Sequence, residues 1–217
     1  RQQNEDYLMM EFLPGEEFGV FYYRYPGVDR GVIFSINRKK HLSVKGDGYR
    51  TLEELILSDE RALCMAPAFM KNLEPHLMDI LADGETVQLG RVGAHSRGTL
   101  FLEGKDLITE ELLDSVERIA QPYKGFYFGR FDFKAPSEAD LKKGRDLKVI
   151  ELNGVTSEAT HIYDPANSIS YAWKVLMDQW SIAFAIAELN RRRGCRPMKF
   201  KEFINHWYRG GKEELPS

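Results

Sequence analysis

Two stretches decide the fold: Gly125-Phe126-Tyr127-Phe128-Gly129-Arg130-Phe131-Asp132-Phe133-Lys134 and Leu147-Lys148-Val149-Ile150-Glu151-Leu152-Asn153-Gly154. Both are rich in aromatic and branched residues, so both read as strands. Side chains alternate along a strand. Phe126, Phe128, Arg130 and Asp132 therefore share one face of the first, and Tyr127, Gly129, Phe131 and Phe133 the other. In the second, Leu147, Val149, Glu151 and Asn153 share a face, and Lys148, Ile150 and Leu152 share the opposite one. Each strand begins apolar and ends polar. If the two are neighbours, Arg130, Asp132, Glu151 and Asn153 gather where a core gives way to a cleft.

Working outward, Ala135 to Asp146 joins these strands and is highly charged, which suggests an exposed excursion. Upstream, Thr109 caps a helix with Leu112, Leu113, Val116, Ile119 and Ala120 on one face. Thr86–Val92 and Gly98–Leu102 read as strands around the polar loop Gly93 to Arg97. Asp59–Leu81 has helical character broken by Pro67 and Pro75. Thr51-x-x-Glu54 fits a capping box after the loop Lys45-Gly46-Asp47-Gly48. Tyr7–Leu13, Phe18–Tyr25 and Gly31–Asn37 read as a meander of three strands with Pro-Gly turns. Downstream, Trp173, Leu176, Met177, Trp180, Phe184 and Ala187 recur at three and four residues, which predicts a long helix with that face buried. Arg191-Arg192-Arg193-Gly194 ends it. Residues 199–208 read as a last short helix, and 209–217 as a loose tail. The whole is an α+β domain, an antiparallel sheet with flanking helices on one side and the other face open.

The gathered polar residues suit a hard cation. Two carboxylates and an amide oxygen offer oxygen ligands to Mg²⁺, which also keeps water and phosphate oxygens. Arg130 adds a planar, permanently charged fork that matches phosphate. The competing reading is two strand ends that are merely solvated, with ordinary salt bridges from Arg130 to Asp132 or Glu151.

The pair Gly129-Arg130-Phe131-Asp132-Phe133 and Val149-Ile150-Glu151-Leu152-Asn153-Gly154 resembles the catalytic core of the ATP-grasp superfamily, of the carboxylate–amine ligase type. The resemblance implies Asp132, Glu151 and Asn153 as Mg²⁺ ligands, with Mn²⁺ as the substitute ion. It implies Arg130 as the catalytic contact to phosphate and to the reacting intermediate. Glu11-Phe12-Leu13-Pro14-Gly15-Glu16-Glu17 resembles the family's hinge. Glu11 and Leu13 would then bond the adenine of ATP through their backbones beside Phe12, and Glu17 would take the ribose hydroxyls. Residues Gly46 to Ile56 resemble the G-D-G-x-x-T-x-x-E-L-I segment of cyanophycin synthetase and its relatives; here a backbone anion site and a plain turn both remain open.

The implied activity is ligation of a small-molecule carboxylate to an amine through an acyl phosphate. A non-catalytic nucleotide-binding module and a kinase of a carboxylate or other small molecule are the alternatives. Residues 1–208 then form the later part of an ATP-grasp catalytic unit, lacking an N-terminal substrate domain and a first phosphate-binding subdomain. Such a piece would bind ATP poorly and would not turn over alone. The opening Arg1-Gln2-Gln3, without an initiator Met, points the same way. His95 and Arg97 in the polar loop, and Ser157 and His161 after the second strand, are substrate candidates; capping of a surface loop is the other reading of each.

The totals exclude several classes. A net charge of −3 over 217 residues gives no broad attraction to nucleic acid or to anionic membranes. Hydrophobic content of 43% is ample for a core. The stretch Ile169–Leu189 is interrupted by Lys174, Asp178 and Gln179 and reads as a core helix, not a membrane span. Cys64 and Cys195 stand in no metal or redox spacing and read as reduced thiols of a cytoplasmic protein. The expected partners are small molecules, and a homodimer is compatible with the sequence.

Overall fold

A computed structural model describes residues 11–90 and 98–208. Its centre is a five-stranded antiparallel sheet in the order β5-β2-β1-β6-β7. The strands are β1 (Glu16–Tyr23), β2 (Val32–Lys40), β5 (Leu100–Glu103), β6 (Phe128–Ala135) and β7 (Lys148–Asn153). A two-stranded ribbon pairs β3 (Ser43–Lys45) with β4 (Thr86–Gln88). Around it pack α1 (Leu52–Ser58), α2 (Glu60–Leu63) and α3 (Ala66–Leu73). The α+β class read from the sequence is the one observed. Residues 11–13 join no strand, so the expected first strand of the meander is absent there. Residues 209–217 and the rest of that stretch, residues 7–10, lie outside the described residues.

One sheet face carries Phe18, Val20, Tyr22, Phe131, Phe133 and Ala135 against α4 (Glu110–Ala120), through Leu112, Val116 and Ala120. Thr109 caps α4 by accepting from Leu112 N. Glu117 of α4 is buried and anchors this layer. Its Oε1 accepts from the Tyr22 hydroxyl at 2.8 Å and from Gly31 N, and its Oε2 accepts from Gln121 Nε2 at 2.9 Å. Burial and the adjacent Glu117 carboxylate push the Tyr22 phenol above its usual range. The charged excursion is not free. It folds α5 (Glu138–Lys142), capped by Ser137, and Leu141 plugs the same core.

The opposite face is half covered too, contrary to the expected one-sided arrangement. Phe21 and Phe128 meet Ala159, Ile162 and the long helix α6 (Ile169–Arg192). The face of α6 that docks is Val175, Gln179, Ala183 and Ile186. The predicted stripe is on the wrong side: Trp173, Met177, Trp180 and Phe184 are exposed, while Leu176 packs partly. Two apolar faces run along this helix, and period alone does not choose between them. The sheet already supplies large aromatics, so side chains less bulky than Trp and Phe fill the space left between sheet and helix. The buried Gln179 is satisfied: its Oε1 accepts from Ala159 N at 2.9 Å, and its Nε2 donates to Ser157 O at 3.0 Å. That pins the segment following β7.

A second core gathers Val44, Leu52, Leu55, Ile56, Phe69 and Leu81 beside the ribbon. Here the capping box at Thr51 and Glu54 forms as read. Pro67 and Pro75 sit at the starts of α3 and of a following 3₁₀ turn, where a missing N–H costs nothing. The last helix, α7, spans Phe200–Tyr208.

Candidate nucleotide and metal site

The site forms at the polar end of the α6-facing side of the sheet. Residues directly opposite in antiparallel strands share a face. The register gives one row across all five strands: Glu103 opposite Asn37, Asn37 opposite Gly19, Gly19 opposite Asp132, and Asp132 opposite Glu151. Arg130 stands opposite Asn153 in the neighbouring row. The four residues singled out from the sequence are thus brought together.

They meet by a different route from the one expected. The pairing of β6 with β7 slips between Asp132 and Phe133, leaving Ile150 as an extra residue. Beyond this bulge Val149 pairs with Phe133 and Leu147 packs on the α4 core, so the two do not share a face with Glu151 and Asn153. At the other end, regular pairing of β6 begins only at Phe128. Phe126 turns to the α4 side, where its ring stacks on Tyr22 at 6.1 Å, and Tyr127 packs with Phe128 instead. Strict alternation fails at both ends of the stretch and holds where the polar residues are.

Asp132 is the centre. It is 3% exposed and holds two cations. Arg130 Nε lies 3.2 Å from its Oδ1, and Lys39 Nζ lies 3.2 Å from its Oδ2. Asn153 Nδ2 lies 3.4 Å from the same Oδ2. Arg130 also donates from Nη1 to Glu158 O at 2.7 Å, tying the β7–α6 segment over the sheet. Lys39 Nζ is shared with Glu17, 2.5 Å from Oε1. Gly19 makes this closure fit. A Cβ there would stand 2.1 Å from Asn37 Oδ1 and 3.1 Å from Arg130 Cδ. Asn37 is buried, and its Nδ2 has no hydrogen-bond partner among the described residues.

Lys39 was not visible as a site residue in the sequence. The signal was there: Ser35, Asn37 and Lys39 alternate with Ile36 and Arg38, a polar face on a strand whose other face is core. Next to it opens a cleft of about 450 Å³ between the sheet end and the ribbon, lined by Glu16, Glu17, Lys39, Lys40, His41 and Lys134 among others. Burial holds the His41 imidazole below its usual pKa.

Among the described residues, no three His, Cys, Asp or Glu side chains converge on one point. The donors gathered among the described residues are two carboxylates and an amide. That suits Mg²⁺, whose other ligands are phosphate oxygens and water, and it does not suit an all-protein cage. Glu151 is on the exposed edge strand and Asn153 is half-buried, so the approach is open on the β7 side.

The remaining candidates scatter. Glu11 and Phe12 are exposed and Leu13 half-buried, just ahead of β1. The Ser157 hydroxyl donates to Gly154 O at 2.6 Å, closing its own loop. His161 is buried on a 3₁₀ turn (Thr160–Tyr163), its Nε2 3.8 Å from Glu103 Oε2, in the row that leads to Asp132. His95 and Arg97 lie outside the described residues. In the glycine loop, Gly46 N donates to Glu85 O at 2.7 Å and Gly48 N to Leu81 O at 3.0 Å. Those N–H groups are spent on the chain itself, which favours the turn reading there.

The fold is similar to that of a solved structure, a bifunctional glutathione synthetase from Pasteurella multocida. The TM-score is 0.51 at 17% sequence identity, and the match covers 79% of this chain and 24% of that one. No protein-family profile matches the sequence, and no curated protein matches it.

Proposed function

We propose that this chain is part of an ATP- and Mg²⁺-dependent ligase that joins a carboxylate to an amine through an acyl phosphate. The observation that carries the reading is the β6–β7 register, in which Asp132 and Arg130 stand opposite Glu151 and Asn153. Mg²⁺, when bound, would neutralise charge on the transferring phosphate. Asp132, Glu151 and the Asn153 amide oxygen would hold it. Arg130 and Lys39 would trade their contacts with Asp132 for phosphate oxygens, placing fixed positive charge where negative charge develops. Glu17 would receive the ribose hydroxyls once Lys39 turns to phosphate. No protein nucleophile is required. A fold similar to that of a bifunctional glutathione synthetase is in keeping with this class.

A non-catalytic nucleotide-binding module is the second reading, and one observation favours it. Asp132 is closed under its own two cations. Mixing the full-length polypeptide with ATP, Mg²⁺ and candidate carboxylates, with and without amines, separates the readings. Amine-dependent release of ADP is the expected result. Release without amine indicates a kinase, and no release indicates the module. Glu151→Gln is the cleaner variant, because Glu151 is exposed and Asp132 is part of a buried ion cluster. It is expected to lower turnover by about 10²-fold or more with an unchanged unfolding midpoint. Unchanged turnover would remove Glu151 from the site.

A further inference from the structure

An exposed apolar stripe outside the site runs along α6. Ile169, Trp173, Met177, Trp180 and Phe184 follow at intervals of four, four, three and four residues. They lie along one helix face. Their exposures are 81, 69, 67, 47 and 71%, so the core does not use them. The stripe reads nearly alike in both directions about a point between Leu176 and Met177. Ile169 mirrors Phe184, and Trp173 mirrors Trp180.

We propose that this stripe is a two-fold interface between two copies of the chain, with their α6 helices antiparallel. A two-fold axis sets residue i of one copy against j of the other and j against i, and the spacing here sets large apolar side chains against one another along the whole stripe. Trp173 of one copy then lies beside Trp180 of the other, with Ile169 beside Phe184 and the two Met177 side chains near the axis. Lys174 of one copy comes alongside Asp178 of the other, so the rim is complementary in charge. At about 150–250 Å² for a large side chain, the exposed part of the stripe offers on the order of 700 Å² per copy. A standard stable interface buries about 800 Å² per partner. A soluble monomer seldom leaves a patch this size uncovered. A lipid surface fits less well, because the flanks carry Lys174 and Asp178 with no basic excess. The proposal is independent of any nucleotide chemistry.

Sedimentation equilibrium of the full-length polypeptide tests it. The expected mass is twice that of one polypeptide at micromolar concentration. Trp173→Glu combined with Trp180→Glu is expected to weaken association by at least about 10²-fold, since buried tryptophans dominate such interfaces. Far-ultraviolet circular dichroism checks that this variant folds. A second arm does not depend on it. Both native cysteines are exposed and are replaced by serine. Met177→Cys in that background should then form a disulfide dimer under mild oxidation. Trp173→Cys should link only when mixed with Trp180→Cys. A monomer at every concentration, a dimer that survives the glutamates, or no Met177→Cys cross-link would each overturn the proposal.

Discussion

Gly19 shows how a residue without a side chain can shape a polar site. The row it occupies runs from Asn37 to Asp132, and any Cβ would enter the space taken by Asn37 Oδ1. Asn37 is 2% exposed and has little room to swing aside. Gly19→Ala is therefore expected to destabilise the fold by about 1–3 kcal/mol, the range for overfilling a packed interior. Gly154→Ala is the control, because a Cβ there meets nothing within 4 Å. Urea midpoints of the two variants make the comparison, and equal midpoints would contradict it. Arg130, Asp132, Glu151 and Asn153 were legible because polar residues at alternate positions near strand ends are conspicuous. Asn37 and Lys39 were not legible, because their partners are set by the pairing of β2 with β1 and of β1 with β6 and not by neighbours in sequence.

At the scale of elements, the turn Thr160–Tyr163 packs against β5 and β2, the strands of Glu103 and Asn37. It is held from three sides: Gln179 pins Ala159, Arg130 holds Glu158 O, and Asn167 Nδ2 donates to His161 O at 2.9 Å. His161 is buried here with Glu103 and Asp164 as acidic neighbours and Tyr171 ring to edge. Burial lowers its pKa from the usual 6.5, and the two carboxylates only partly oppose that. The unfolded chain thus takes up a proton that the folded His161 still refuses. Stability from this group is full above about pH 6.5 and falls as pH drops toward the folded pKa. Denaturation midpoints between pH 7.5 and pH 5.5, values chosen to bracket the usual histidine pKa of about 6.5, should fall more steeply in the wild type than in His161→Asn. Parallel slopes would show that this histidine is not the group concerned. None of this closure was legible beforehand. A polar loop after a strand gives no sign of which helix will pin it.

At the scale of the molecule, the sheet and its caps were the legible part. Strand patterns, the Thr51 and Thr109 caps and the proline breaks are local signals, and local physics decides them. The faces of α6 were not legible, because both are apolar and only the shape of the sheet selects one. The bulge at Ile150 was equally hidden, yet it lets a strand with core residues at one end present Glu151 and Asn153 to the opposite side. Among the described residues no helix is long and apolar enough to cross a membrane. The central claim is that the tips of β6 and β7 hold a divalent cation together with ATP phosphates. Paramagnetic broadening of backbone amide resonances by Mn²⁺·ATP tests it most directly, and works even for weak binding. The amides of Gly19, Asp132, Glu151 and Asn153 should broaden first, and Glu151→Gln should suppress the effect. Broadening centred on the Gly46–Gly48 loop, or none at saturating Mn²⁺·ATP, would contradict the account.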